Sequence, residues 1–153
     1  MNNAIESYTI IHNNPFTLAP LFGEFYSSVT ELPKNFLLSY LVLPLVLYPT
    51  SRRFLTNAIS TSSIRTMRKE HDRFYGLPAR VEEYKRLTSL CLQYALDLGV
   101  LEMNQDLSLK MNGNGLDTGL CPGTTAKAAR NLGRLFGSYE PPAVYRLLGV
   151  ASL

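Results

Sequence analysis

The sequence is poor in the residues that catalytic and metal sites need. It has no tryptophan, two cysteines and two histidines in 153 residues. Cys91 and Cys121 have no disulfide or metal-binding pattern around them, which favours a reduced, cytoplasmic setting. His12 and His71 lie far apart, without cysteines or carboxylates at ligand spacing, so we expect no metal site. We expect His71 to lie on the inward face of a helix.

Catalytic motifs are lacking as well. The loop GLCPGTTAK, residues 119–127, is rich in glycine and precedes a predicted helix, as phosphate-binding loops do. A P-loop needs Gly-Lys-Ser/Thr at the helix start, whereas Lys127 lies four residues after Gly123. No Ser/His/Asp or Cys/His set with a nucleophile context appears. We therefore predict a protein that is not an enzyme and that holds no cofactor.

The apolar run SYLVLPLVLY is too short to cross a membrane. The uncharged stretch from Phe36 to Tyr48 has about a dozen residues, whereas a spanning helix needs about 20. The N-terminal MNNAIESYTI lacks the charged region and cleavage site of a signal peptide. We predict a cytoplasmic protein without membrane contact, in which residues 34–48 form a buried helix that Pro44 either kinks or ends.

Charged residues are few, and the net charge is slightly positive. Charged residues make up 18% of the chain against 46% hydrophobic residues, and the formal net charge is +3. Such a balance provides a packed interior and leaves little charge to cover the surface. The composition therefore indicates that a partner buries part of the surface.

Local signals predict a mainly α fold with a small β-hairpin, formed as a single domain over residues 1–153. The helical N-terminal part covers 14–75, where Asn14 caps a helix that Pro15 opens and Ser63 begins another helix that runs to Tyr75. A long helix over 79–98 then leads into a hairpin, and residues 79–111 together are winged-helix-like. C-terminal helices follow over 124–150.

Two predicted helical faces align three cations each. Arg65, Lys69 and Arg73 form one, and Lys127, Arg130 and Arg134 form the other. Each face is either a solvated surface or a stripe that contacts phosphates without reading sequence. Thr50 or Ser51 is expected to cap a short helix that begins after the apolar run. Arg52 and Arg53 in that helix are expected to pair with carboxylates inside the fold or at an interface.

Three segments resemble a known family. They are Asn14-Pro15-Phe16, LVLPLVLYPTSRRFL at 41–55 and AARNLGRLFGSYEPPAVYRLLGV at 128–150. Together they resemble the middle component of bacterial three-component ABC systems, a family that overlaps the third subunit of Lamassu-type antiphage systems. The likeness extends from about residue 5 to 150, and many relatives have histidine where this chain has Tyr48.

The resemblance implies a small accessory subunit beside an SMC-like or Rad50-like ABC ATPase and an effector, commonly a nuclease. In that setting the subunit bridges or restrains the effector, and it meets DNA indirectly or weakly through the complex. Its partner interface is expected at the end of the apolar run, at Tyr48, Arg52, Arg53 and Phe54.

A second hypothesis is a winged-helix transcription regulator, which the helix, the hairpin and the positive charge favour. A recognition helix is usually rich in Arg, Lys, Asn and Gln near its N-terminus. The helix before this hairpin has Glu82 and Glu83 there instead, and these acids would repel phosphates. The accessory subunit is therefore the favoured hypothesis.

Overall fold

The computed structural model describes residues 14–112 and 123–151, and most of them are helical. The α-helices are α1 (Pro15–Ser28), α2 (Ser39–Val46), α3 (Pro49–Thr56), α4 (Ile64–Met67), α5 (Leu77–Asp97), α6 (Gly123–Phe136) and α7 (Pro141–Leu148). Short 3-10 helices cover Asn35–Leu38 and His71–Phe74, and a hairpin is formed by β1 (Leu101–Met103) and β2 (Leu109–Met111). The predicted mainly α fold with a small β-hairpin is confirmed.

Helix α1 begins as the sequence predicts and lies at the centre of the fold. The Asn14 side chain accepts a hydrogen bond of 2.9 Å from the backbone N–H of Phe16, and Pro15 takes the first helical position. On one side of α1, Phe16 contacts Tyr94 of α5 edge to face, with ring centres 4.8 Å apart. On another side, the Ser28 hydroxyl donates to the carbonyl of Arg130 in α6 at 2.7 Å. Helix α1 is therefore packed between α5 and α6.

The apolar run is buried, as predicted, but its ends differ from the expectation. A 3-10 turn leads into α2, which contains Pro44 without being ended by it and stops at Val46. Residues 41–46 are all buried. No helix among the described residues is long and apolar enough to span a membrane.

The predicted cap of the next helix is wrong. Helix α3 starts with Pro49 at its first position after Tyr48 in extended backbone, so neither Thr50 nor Ser51 caps it. The buried Ser51 hydroxyl instead donates to the carbonyls of Leu45 and Tyr48. Ser51 thus ties the start of α3 to the end of α2, which fixes the corner between them.

The predicted helix from Ser63 to Tyr75 is also wrong beyond its first turn. Ser63 begins the helix as predicted and forms a capping box with Thr66, yet α4 ends at Met67. The Arg73 guanidinium donates to the carbonyls of Thr66 and Met67 at 3.2 and 3.1 Å. A continuing helix would need those carbonyls for its own N–H groups. The chain turns here, and His71 is exposed rather than inward-facing.

The second half of the fold follows the prediction closely. Helix α5 spans 77–97, and the antiparallel hairpin after it pairs Leu101 with Met111 and Met103 with Leu109. The buried Asn35 side chain accepts from the N–H of Leu109 at 2.6 Å and donates to its carbonyl at 3.2 Å. This pair of bonds fixes the hairpin against the segment that precedes α2.

Helices α1 and α6 approach so closely that position 133 requires glycine. A Cβ at Gly133 would lie 2.5 Å from the carbonyl oxygen of Phe25 and 3.1 Å from the nitrogen of Val29, and would clash with the Ser28 hydroxyl. Two of these neighbours are backbone atoms, so the clash is relieved only when the helices move apart. The absence of a side chain at Gly133 thus allows this helix pair to pack.

We expect Gly133→Ala to lower the free energy of unfolding by about 1 to 3 kcal/mol, because the added methyl group overpacks the α1–α6 contact. Gly123→Ala in the same helix is the matched control, since a Cβ there meets nothing within 4 Å. Urea unfolding followed by circular dichroism compares the two variants. Equal midpoints for both would show that the helices are not in this close contact.

Candidate functional site

The predicted partner interface lies at the corner between α2 and α3, and its aromatic rings are covered by arginines. Tyr48 and Phe54 are both half-buried. The Arg80 guanidinium lies 3.8 Å from the centre of the Tyr48 ring, and that of Arg73 lies 4.3 Å from the Phe54 ring. Both rings therefore contact cations of the same chain at this corner.

The two arginines of the predicted interface differ from each other. Arg52 is half-buried and Arg53 is exposed. Within the described part of the chain, neither side chain forms a hydrogen bond or an ion pair, so the expected internal carboxylate partner is not found there. Their contact with a partner protein stays a prediction.

Arg80 holds α5 against this corner. Its Nε donates to the carbonyl of Pro44 at 3.2 Å, and its Nη1 donates to the carbonyl of Tyr75. Burial lowers the pKa of its guanidinium from the ordinary value, while the nearby Tyr48 acts in the opposite direction. Because the guanidinium is planar, it stacks on a ring and donates in its own plane at the same time.

Arg73, like Arg80, stacks on an aromatic ring of this corner. It therefore does not join the first predicted cation face. Its side chain is 16% exposed, stacks on Phe54, and lies 3.7 Å from the Glu70 carboxylate. Since α4 ends at Met67, Arg65, Lys69 and Arg73 do not share one helical face as predicted. Arg65 and Lys69 are exposed and Arg73 is not.

The second predicted face is present and points outward. Lys127, Arg130 and Arg134 are all exposed along α6. Arg130 pairs with the Glu24 carboxylate of α1 at 2.9 Å, and Arg134 donates to the side-chain oxygen of Asn131 at 2.8 Å. Contact between these cations and phosphates stays a prediction.

Helix α3, which carries the exposed Arg53, packs against α6, and the sequence did not reveal this contact. The Asn131 side chain of α6 donates to the carbonyl of Leu55 at 2.8 Å, and the Thr56 hydroxyl donates to the carbonyl of Thr124 at 3.3 Å. A cavity of about 290 Å³ lies between α6 and the loop after α3. We define the cationic surface as the exposed basic residues of these neighbouring segments: Arg53, Arg65, Arg68, Lys69, Lys127, Arg130 and Arg134.

A second surface, on α5, is apolar and was not predicted as an interface. Leu90 is 47% exposed and Leu98 is 53% exposed. The half-buried Tyr94 lies between them, and the half-buried Leu87 precedes Leu90. We call these four residues the apolar stripe. Their spacing of three, four and four residues places them on one side of the helix. The sequence shows that spacing, but spacing alone does not predict whether a leucine is exposed or buried.

The described residues do not bring potential metal ligands together. No group of three or more His, Cys, Asp or Glu side chains within residues 14–112 and 123–151 is arranged to hold a metal ion. Cys91 is buried in α5. Cys121, His12 and residues 119–122 of the glycine-rich loop lie outside the described residues.

We expect Arg80→Lys to lower the free energy of unfolding by about 1 to 3 kcal/mol, because an ammonium cannot stack on Tyr48 and reach both carbonyls. Arg86→Lys, an exposed position on the same helix, should change it by less than about 0.5 kcal/mol. Thermal melting of both variants checks this. An Arg80→Lys variant as stable as the parent would contradict the structural role of Arg80.

Comparison with known proteins identifies a family. Residues 2–152 match the family model described as ABC-three component (ABC-3C) system Middle Component 3. Searches of curated proteins and of solved structures found no match. The family match spans nearly the whole chain and confirms the likeness to a middle component. The chain therefore belongs to the Middle Component 3 family of ABC-three component systems.

Proposed function

We propose that this chain is a non-catalytic accessory subunit that bridges an SMC-like or Rad50-like ABC ATPase and a nuclease-type effector. The complex acts in the cytoplasm in antiphage or antiplasmid defence of Lamassu type. Membership of a middle-component family is the observation that carries the proposal, because a component of a three-component system has partner subunits. In this assembly the partners supply catalysis, and this chain supplies contacts.

Two surfaces of different chemistry support a bridging role. The apolar stripe lies on α5 and the cationic surface on α3, α6 and the segment between α3 and the 3-10 helix at His71. Helices α5 and α6 pack on different sides of α1. A subunit with two such surfaces can contact two different macromolecules at once.

The apolar stripe suits a helix of a partner subunit. Apolar residues three and four positions apart form the seam along which two helices pack. Glu83, Arg86 and Asp97 are exposed beside the stripe, so acid, base and acid follow one another along its edge. A partner helix with base, acid and base in the matching order would complement that edge. The flanking charges would then set the register of the partner.

The regulator hypothesis finds less support in the same helix. Glu82 and Glu83 are both exposed in the first half of α5, where a recognition helix would face the DNA groove. Two carboxylates there would repel the phosphates on either side. Helix α5 is better suited to a protein partner than to a DNA groove.

We expect Leu90→Asp combined with Leu98→Asp to remove one partner subunit from the complex, because charge replaces the apolar seam. The chain is co-expressed with the two proteins encoded beside it and purified through a tag on this subunit. Both leucines are about half exposed, so the double variant should still fold and melt within a few degrees of the parent.

Gln105→Asp combined with Ser138→Asp is the control, since it adds the same charge at exposed positions away from α5. This control should retain both partners. A parent chain that co-purifies with neither neighbour would contradict the accessory function itself. A Leu90, Leu98 variant that retains both neighbours would leave that function standing and would exclude the apolar stripe as the interface.

A further inference from the structure

The charges of this chain are separated along the sequence. Residues 49–69 and 123–136 contain eight of its fifteen Lys and Arg residues and none of its twelve Asp and Glu residues. The remainder has seven cations against twelve acids and is net negative. A small positive net charge therefore hides one strongly basic part and one acidic part.

Folding brings the two basic segments together. The bonds from Asn131 to Leu55 and from Thr56 to Thr124 join α6 to α3. The segment after α3 is held against α3, because Arg73 stacks on Phe54 of that helix while it donates to the last carbonyls of α4. The elements that carry the cationic surface are therefore held together by direct contacts.

Within residues 14–112 and 123–151, most of these cations have no carboxylate partner. Arg130 has a carboxylate partner, Glu24, at 2.9 Å. Arg134 bonds a neutral amide. Among the residues that the structure describes, the other five exposed cations form no ion pair with a carboxylate. The surface thus presents uncompensated positive charge to solvent, which attracts a polyanion.

We propose that the cationic surface binds the phosphate backbone of double-stranded DNA, directly and without regard to sequence. This binding goes beyond the accessory function proposed above and does not depend on which proteins this subunit joins. Arginine supplies five of the seven exposed cations, and its planar guanidinium can donate two hydrogen bonds to one phosphate. Serine and threonine hydroxyls at 60–62, beside α6, can add further phosphate contacts.

The lack of exposed apolar anchors favours DNA over an acidic protein. Protein interfaces depend on a cluster of buried apolar or aromatic residues near their centre. In the two basic segments, as far as the structure describes them, Ile59 is the one large apolar residue classed as exposed. Protein–DNA interfaces are more polar and far more positively charged. The composition of this surface matches the second type.

The same composition favours duplex DNA over a single strand. Proteins that bind single strands stack the bases on exposed aromatic rings. No aromatic residue in either basic segment is exposed among those described. On α6, the eight residues from Lys127 to Arg134 span roughly 10 Å, which equals about three base-pair steps along the duplex axis. The α6 cations can therefore follow a backbone.

Fluorescence anisotropy of the full chain with a labelled duplex of mixed sequence tests the proposal. We expect a micromolar Kd whose logarithm varies linearly with that of salt concentration between about 50 and 200 mM. Arg53→Glu with Lys127→Glu takes one cation from each basic segment. It should weaken binding roughly tenfold and lower the magnitude of the salt slope by about 2.

Arg86→Glu with Arg146→Glu is the matched control, because it reverses the same number of exposed charges on α5 and α7. It should bind the duplex within about threefold of the parent, since long-range effects are screened by salt.

Equal losses in both double variants would show a response to net charge alone and overturn the proposal. So would tighter binding to the single strand than to the duplex. The proposal is likewise overturned when the Arg53, Lys127 variant binds DNA normally but loses a partner subunit, which marks an acidic protein interface.

Discussion

The close approach of α1 and α6 at Gly133 is the contact that the rest of the structure depends on. With no side chain at this position, the Phe25 carbonyl and the Ser28 hydroxyl lie directly against α6, and Phe136 packs its ring edge to face on Phe25 at 5.8 Å. This packing fixes the rotation of α6 about its axis. Its alanines and leucines are then buried, and Lys127, Arg130 and Arg134 face solvent.

Two arginines complete the fold on the side of α3, and they show that cations serve two purposes in this chain. Arg73 and Arg80 place their guanidinium groups over aromatic rings and donate to main-chain carbonyls. They hold the segment from α4 to α5 against the corner of α2 and α3. Apart from the half-buried Arg52, the remaining cations of that region are exposed, so the internal pair shapes the surface that the exposed residues form.

Local signals predicted the elements whose determinants are local. Asn14 with Pro15, the spacing in α5 and α6, and the alternation in the hairpin all act within a few residues, and those predictions are confirmed. The prediction of a helix through Tyr75 was wrong because the Arg73 side chain donates to the last carbonyls of α4. That contact depends on Phe54, on which the Arg73 guanidinium stacks. For the same reason, periodicity predicted the α6 cations but not the packing of α3, which carries Arg53, against α6.

We infer that this middle component meets a protein through α5 and DNA through α3 and α6. The most direct measurement introduces a photo-crosslinking amino acid at position 90 or at position 127 of the chain in the assembled complex with labelled duplex DNA. We expect a crosslink from position 90 to a partner subunit and from position 127 to the duplex. Crosslinks from position 127 to protein alone, or from position 90 to DNA, would contradict it.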